Sequence, residues 1–196
     1  MASDTRRRLV DAAWECVRKG STIGATSRAI TTAAEANLGA ITYYFGSKDA
    51  LLAEAVGEAI EVLVRPALRA LQDEALDPVS RLLKAVAQLQ EAYEQAADDA
   101  PVYLEVLIQS RRQPELQRRV SEVFGEIRAM LSQQMAQLQA GGFLPDWVQP
   151  DAMAGLLLAV AQGVVLQTAI DGAGPPHAPM ADQFARLLLA SRASGN

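Results

Sequence analysis

The chain has 196 residues, half of them hydrophobic and 5% aromatic, with a net charge of −5. That size predicts one domain, or one with a small appendage, and enough apolar material to bury a core, which excludes global disorder. A single cysteine, Cys16, excludes a disulfide framework or a cysteine-rich zinc site, and a single histidine, His177, leaves no material for His-based catalysis or metal binding.

The chain opens MASDTRRRLV, a basic cluster with no apolar stretch behind it, so no secretory signal is expected there. Leu9, Val10, Ala13, Trp14 and Val17 recur at helical spacing. Ser3 or Asp4 can cap this first helix, Gly20 is expected to stop it, and Cys16 near its stripe reads as a small core residue. Thr26 is a good N-cap for a second, short helix through about Ala34, and Asn37 for a third through about Tyr44. Gly46 and Ser47 break the pattern, and Ser47 caps a fourth helix whose stripe runs from Leu51 to Leu63. Pro66 lies inside that pattern and must kink or divide it.

Asp77-Pro78 opens a fifth helix, with Pro where its missing N–H costs least, and Leu82, Leu83, Val86, Leu89 and Tyr93 mark its apolar side. A break at 98–101 precedes a sixth helix carrying Tyr103, Leu104, Leu107 and Ile108 to about Gln113. A seventh runs from Pro114 to about Ala140 before Gly141-Gly142, and an eighth from about Pro150 to Ile170. The longest apolar run, Ala152 to Ala161, is ten residues, against the roughly 20 of a spanning helix. No membrane segment is therefore expected, and a reducing, cytoplasmic setting is the default. A loop from Asp171 to Pro179, holding His177, leads to a ninth, short helix with Phe184, Leu187 and Leu188. The expected fold is all-α, about nine helices, with a three-helix domain over 1–47, helix four (about 47–73) as connector, and a helical domain over 48–196.

Charge divides along the same line. Residues 1–50 hold seven basic and five acidic side chains, and the remainder holds 11 basic and 18 acidic. A polyanion partner is expected at the N-terminal end. Two short helices joined by a tight turn inside a three-helix unit make a helix-turn-helix. Ile30, Ala33, Ala34, Leu38, Ile41 and Phe45 are its apolar residues, and Phe45 is expected to be buried. Gly39, Ala40, Thr42, Tyr43 and Tyr44 are left outward, with Leu38 at the lip. Small residues admit the backbone to a major groove about 12 Å wide, and the hydroxyls can reach base edges or phosphates. Thr26, Ser27, Ser47 and Lys48 sit at helix N-termini, natural phosphate seats. Arg28 and the Arg6–Arg8 cluster add charge that anchors without reading sequence.

The segment from Thr26 through Asn37-Leu38-Gly39-Ala40-Ile41-Thr42-Tyr43-Tyr44-Phe45-Gly46-Ser47-Lys48 resembles the DNA-binding domain of the tetracycline-repressor (TetR) family, over about residues 5–56. The family pattern of Thr, Ile, a short recognition helix, an aromatic group ending in Phe, a short turn and Lys falls on Thr26, Ile30, Asn37 to Tyr44, Phe45, Gly46-Ser47 and Lys48. Two positions depart from it. Glu35 stands in the turn where Gly is usual, and Thr42 where the first aromatic often is.

The resemblance implies a homodimeric regulator, by family habit a repressor, that binds a near-palindromic operator in double-stranded DNA and is released by a small molecule. DNA contact is then expected from Thr26, Ser27, Arg28, Asn37, Leu38, Gly39, Ala40, Thr42, Tyr43, Tyr44 and Lys48. It also implies an effector cavity, for which Tyr93, Tyr103 and Gln162, walled by Leu107, Phe124 and Ile127, are candidates; the scarcity of charge there points to an apolar or weakly polar effector. The last two helices would pair between subunits through Gly155, Leu156, Ala159, Val160 and Gly163, with Leu187 and Leu188. No cofactor or metal is implied. An enzyme is disfavoured: a di-metal carboxylate bundle wants Glu-x-x-His pairs, and Gly174 stands three places before the one histidine. The remaining alternative is a helical scaffold that binds protein without DNA.

Overall fold

The structure, a computed structural model, describes residues 2–171 together with Gln183 and Arg186. Eight α-helices follow one another: α1 (Ala2–Gly24), α2 (Ser27–Ala33), α3 (Gly39–Phe45), α4 (Lys48–Leu71), α5 (Pro78–Gln95), α6 (Ala100–Ser110), α7 (Pro114–Ala140) and α8 (Pro150–Asp171). One 3-10 turn, Ala97–Asp99, precedes α6, and no strand occurs among the described residues. The expected all-α fold is found. The expected ninth helix with Phe184, Leu187 and Leu188, and the loop holding His177, lie outside the described residues.

Local chemistry sets most of the helix ends. The Asp77 carboxylate accepts from the N–H groups of Val79 (3.0 Å) and Ser80 (3.1 Å), and Pro78 follows in the first turn. The Ser80 hydroxyl and these amides hold the Asp77 carboxyl below the usual carboxylate range. At the end of α7, Gly142 takes φ +72° while its N–H reaches Gln139 O and that of Phe143 reaches Leu138 O, a Schellman ending. The amide of Gln139 then donates to the carbonyls of Pro145 and Val148, holding the loop into α8.

Several expectations need correction. α1 continues through Gly20 to Gly24, because a glycine stops a helix only by turning left-handed, and Gly20 does not. α3 starts at Gly39 instead of just after Asn37; Asn37 supplies its backbone carbonyl to Ala40 N–H (3.1 Å), and no side chain caps the helix. Pro66 neither divides α4 nor ends it; both it and Val62, one turn back, are exposed, so the lost hydrogen bond falls on a solvent-facing turn. On α5 the buried residues are Leu82 and Ala85, while Leu83 is exposed; on α6 Val106 is buried and Ile108 is exposed.

The chain divides into two compact units, Met1–Glu61 with Pro101–Val123, and Val62–Ala100 with Phe124–Asn196. The first buries Leu9, Ala13 and Val17 of α1, Ile30 of α2, Ile41 of α3 and Leu51, Leu52 and Val56 of α4. The second is built on Ala67, Ala70 and Leu71 of α4, Leu82 and Ala85 of α5, Met135 and Leu138 of α7, and Leu144 and Val148 after it. Truncating a fully buried member such as Met135 or Leu138 to Ala would cost about 2–5 kcal/mol in each case.

α8 corrects the reading of its own hydropathy. Over Pro150–Ile170 its mean hydropathy reaches 1.8, long and apolar enough by composition to cross a membrane. The ten-residue run understated it, because beyond Asp151 only Gln162, Gln167 and Thr168 interrupt the apolar and small residues as far as Ile170. The helix is two-sided: Ala154, Val165 and Thr168 are buried, whereas Leu156, Val160, Leu166 and Ile170 are exposed.

Candidate nucleic-acid interface

The first unit presents α3 on a tightly determined mount. The Thr26 hydroxyl caps α2 by accepting from Ala29 N–H (3.2 Å), as its sequence position predicts. Buried Thr31 turns its hydroxyl back onto Ser27 O (2.8 Å). α2 ends in a second Schellman arrangement: Ala36 N–H reaches Thr31 O (2.9 Å) and Glu35 N–H reaches Thr32 O (3.2 Å). Glu35 occupies the left-handed position at φ 50°, the only non-glycine residue with positive φ among the described residues. The backbone thus makes the usual turn in spite of Glu35, at the strain a Cβ brings there.

α3 has seven residues, less than two full turns beyond its ends, so its phase decides everything. Ala40 and Ile41 face inward and are buried; Tyr44 and Phe45, one turn on, are half-buried. Gly39, Thr42 and Tyr43 face solvent, Tyr43 at 81% exposure, with Leu38 exposed at the lip. Ala40 is therefore removed from the outward set: at 100° per residue it shares the side of Ile41 and Tyr44. Ala33 moves the other way, out of the apolar interior, and Phe45 is half-buried where burial was expected. Tyr43 and Tyr44 meet edge to face at 4.8 Å between centroids, and Tyr44 and Phe45 at 6.4 Å. Gly46 then takes φ +77°, and Ser47 Oγ accepts from Ala50 N–H (3.0 Å) to start α4.

Of the other expected contact residues, Thr26, Arg28 and Asn37 are exposed, and Ser27 and Lys48 half-buried. Arg28 and Lys48 have no carboxylate partner among the described residues, so both cations are available to a phosphate. The Arg6–Arg8 cluster is different. Arg6 pairs with Glu54, Arg7 with Asp11 and Glu58, and Arg8 with Asp4 at 3.7 Å. Donating to the carboxylates of Asp11 and Glu58 holds the Arg7 guanidinium above its ordinary value. Nothing in the local sequence around Arg6 signals that its partner lies 48 residues away.

The expected effector residues fall in both units: Tyr103 and Leu107 in the first, Tyr93, Phe124, Ile127 and Gln162 in the second. Ile127 is buried and the others are half-buried. Desolvation pushes the Tyr93 phenol up to about 12. Sequence reasoning did not find an open groove of about 460 Å³ in the second unit, lined by Val62, Arg65, Pro66, Arg69, Ala70, Asp73, Lys84 and Gln88. Among the expected pairing residues on α8, Leu156, Ala159 and Val160 are exposed and Gly155 and Gly163 half-buried. Leu166 and Ile170 extend that exposed face, and sequence reasoning missed them although they continue its helical spacing.

Residues 9–55 match the profile described as bacterial regulatory proteins, tetR family, and residues 78–192 match that of the BetI-type transcriptional repressor C-terminal domain. No curated protein matches the chain. Among solved structures, the fatty acid degradation regulator FadR from Bacillus halodurans is similar at TM-score 0.77 and 19% identity, covering 94% of each chain. Salmonella enterica GusR is similar at TM-score 0.73 and 23% identity, covering 94% of this chain and 95% of that one. The multidrug binding protein EbrR, complexed with proflavin, is similar at TM-score 0.64 and 21% identity, covering 94% of this chain and 99% of that one. With helix-turn-helix geometry in place and two family profiles along the chain, the protein belongs to the TetR family of bacterial transcription regulators and carries its DNA-binding domain at the N-terminal end.

Proposed function

We propose that this regulator is a ligand-released repressor that binds a near-palindromic operator as a homodimer. The observation that carries the DNA-reading part is the solvent face of α3. An 81% exposed Tyr43, leaning on Tyr44 beside Thr42 and Gly39, offers hydroxyls and a close-approaching backbone to a major groove. Tyr43 and Thr42 read base edges or phosphates, with Leu38, Gly39, Asn37 and the side of Tyr44 packed on the duplex. Thr26, Ser27, Arg28 and Lys48 seat the flanking phosphates. The functional partition follows: 1–47 reads, helix four over about 47–73 connects, and 48–196 senses and dimerises.

The homodimer rests on α8. Its exposed Leu156, Val160, Leu166 and Ile170 form an aliphatic stripe on a helix that already buries its other side. A Cβ added at Gly155 or Gly163 would meet nothing within 4 Å, so the subunit's own packing does not demand glycine at either place. Small residues on an apolar stripe admit a second helix closely, and a second copy of α8 supplies that chemistry. This face turns to protein, not to a bilayer. Repression is supported by the BetI-type description of the C-terminal match. Release by an apolar or weakly polar molecule is supported by the half-buried Tyr93, a desolvated hydroxyl that can orient such a guest, with Phe124, Ile127 and Gln162 of the same unit as further candidate contacts. EbrR holds proflavin on a similar fold. An effector acts only through unequal affinity for the DNA-competent and released conformations.

The test is selection of bound genomic fragments followed by titration at several salt concentrations. An inverted repeat with half-sites about one helical turn or a multiple apart, and affinity falling steeply with salt, are expected. Salt-independent retention of random DNA, or none, would overturn the reading in favour of a protein-binding scaffold.

A further inference from the structure

The Arg6–Arg8 cluster looks in the sequence like a phosphate anchor, and the structure gives its first member another task. α4 carries Glu54 and Glu58 one turn apart, and α1 sends Arg6 to the first and Arg7 to the second. Arg7 has an additional partner in Asp11 of its own helix. Arg6 differs in what lies under it: its guanidinium carbon sits 5.1 Å from the centroid of the Phe45 ring. A planar cation over an aromatic face gains from the ring quadrupole, and its edge remains free to donate to a carboxylate. One side chain of α1 therefore touches the last residue of α3 and the second turn of α4 together.

That place matters because the turn from α2 fixes where α3 begins, and fewer contacts hold its far end. The helix has no side-chain cap at its start. It buries only Ala40 and Ile41, and the single residue Gly46, at φ +77°, separates its end from Ser47. Phe45 is half-buried, so one face of its ring is left for Arg6. A small rotation at Gly46 would swing Thr42 and Tyr43 away from a groove.

We infer that Arg6 is a positioning residue for DNA reading: paired with Glu54 and laid over Phe45, it locks the end of α3 against α4, and it contacts no phosphate itself. The inference rests on the DNA-contact reading of α3. The guanidinium commits an N–H group to Glu54 and a face to Phe45, so its charge is balanced inside the protein before any phosphate approaches.

Counterion release separates the two roles. A phosphate-contacting cation adds about one to the slope of log affinity against log salt, and a positioning residue adds nothing. The probe is the genomic fragment that the unaltered protein retains best, titrated between about 50 and 200 mM salt. Arg6→Ala is expected to weaken binding roughly five- to tenfold, with the slope unchanged. Glu54→Gln gives the sharper sign. Removing a negative charge from a DNA-binding unit should tighten binding by electrostatics alone, whereas loss of the lock should weaken it. Arg6→Lys, which keeps the charge but not the plane that stacks on the ring while its edge donates, is expected to recover only part of the affinity. A slope lower by about one in Arg6→Ala, tighter binding by Glu54→Gln, or unchanged affinity in both would overturn the inference. Tyr43→Ala, run beside them, reports on the underlying reading: if it too binds normally, α3 is not the reading element. Melting curves of Glu54→Gln, a nearly isosteric substitution at a half-buried position of α4, keep the comparison independent of unfolding.

Discussion

α3 and α8 both leave large side chains in water, and they do so with opposite chemistry. α3 exposes Tyr43, Thr42 and Gly39 on seven residues, whereas α8 exposes Leu156, Val160, Leu166 and Ile170 on 22. A hydroxyl on a short helix can exchange water for base edges and phosphates and can give them up again. An aliphatic stripe gains nothing from a polyanion and is satisfied by another aliphatic surface, at about 25 cal/mol per Å² buried. Exposure alone thus does not mark a function; the groups exposed select the partner. The first surface is suited to a reversible contact, the second to a lasting one.

The comparison is broken most severely at α8. Val160→Glu puts a charge in the centre of the aliphatic stripe, and we expect monomers by sedimentation and a loss of operator affinity of about a hundredfold or more, since a lone half-site contact lacks its partner's effective concentration. A dimer that survives this substitution, together with Leu156→Glu, would remove α8 from the interface. Next in size is Tyr43→Ala. Its ring leans on Tyr44 but is otherwise in water, so the fold should persist while affinity drops about tenfold to a hundredfold in gel shifts. Tyr43→Phe divides that loss between hydroxyl and ring.

Smaller still is the effect of Glu35→Gly. Glycine adopts φ 50° without Cβ strain, and a carboxylate beside the reading helix disappears. The melting temperature should rise by about 2–4 °C and operator affinity by roughly two- to threefold. A fall in either would show that Glu35 holds something the free protein does not reveal. The smallest effect concerns acid. Hydrogen bonds from the Ser80 hydroxyl and amides depress the Asp77 carboxyl, and hydrogen bonding to Lys84 depresses Asp73. A depressed carboxyl contributes stability in full above its unfolded value, about 4, and loses it as pH falls through the folded value. Asp77→Asn keeps a capping oxygen without the titration, so its melting temperature should vary less than that of the unaltered protein between about pH 5 and 3.

Much of the fold was legible because its signals are local. Thr26, Ser47 and Asp77-Pro78 announce helix starts within three residues of the amides they cap, and Gly141-Gly142 announces the end of α7. The helix-turn-helix was readable for the same reason. The face of α3 was read less well. The sequence points to Asn37 as N-cap and to Ala40 as outward; the start at Gly39 and the burial of Ile41 turn Ala40 inward with it. Gly20 misled because glycine stops a helix only where the chain needs a left-handed residue, and α1 packs on past it.

The amino-acid order by itself determined the helical content, the caps at Thr26, Ser47 and Asp77 and the short-helix pair of the DNA-binding domain, since hydrogen-bond chemistry within four residues decides these. Tertiary structure decided which cations remain free. Arg28 and Lys48 have no carboxylate partner among the described residues, while Arg6 and Arg7 pair with Glu54 and Glu58. It also decided which side of α8 stays in water. The ion pairs join groups 48 and 51 residues apart, and no short-range pattern encodes such a meeting.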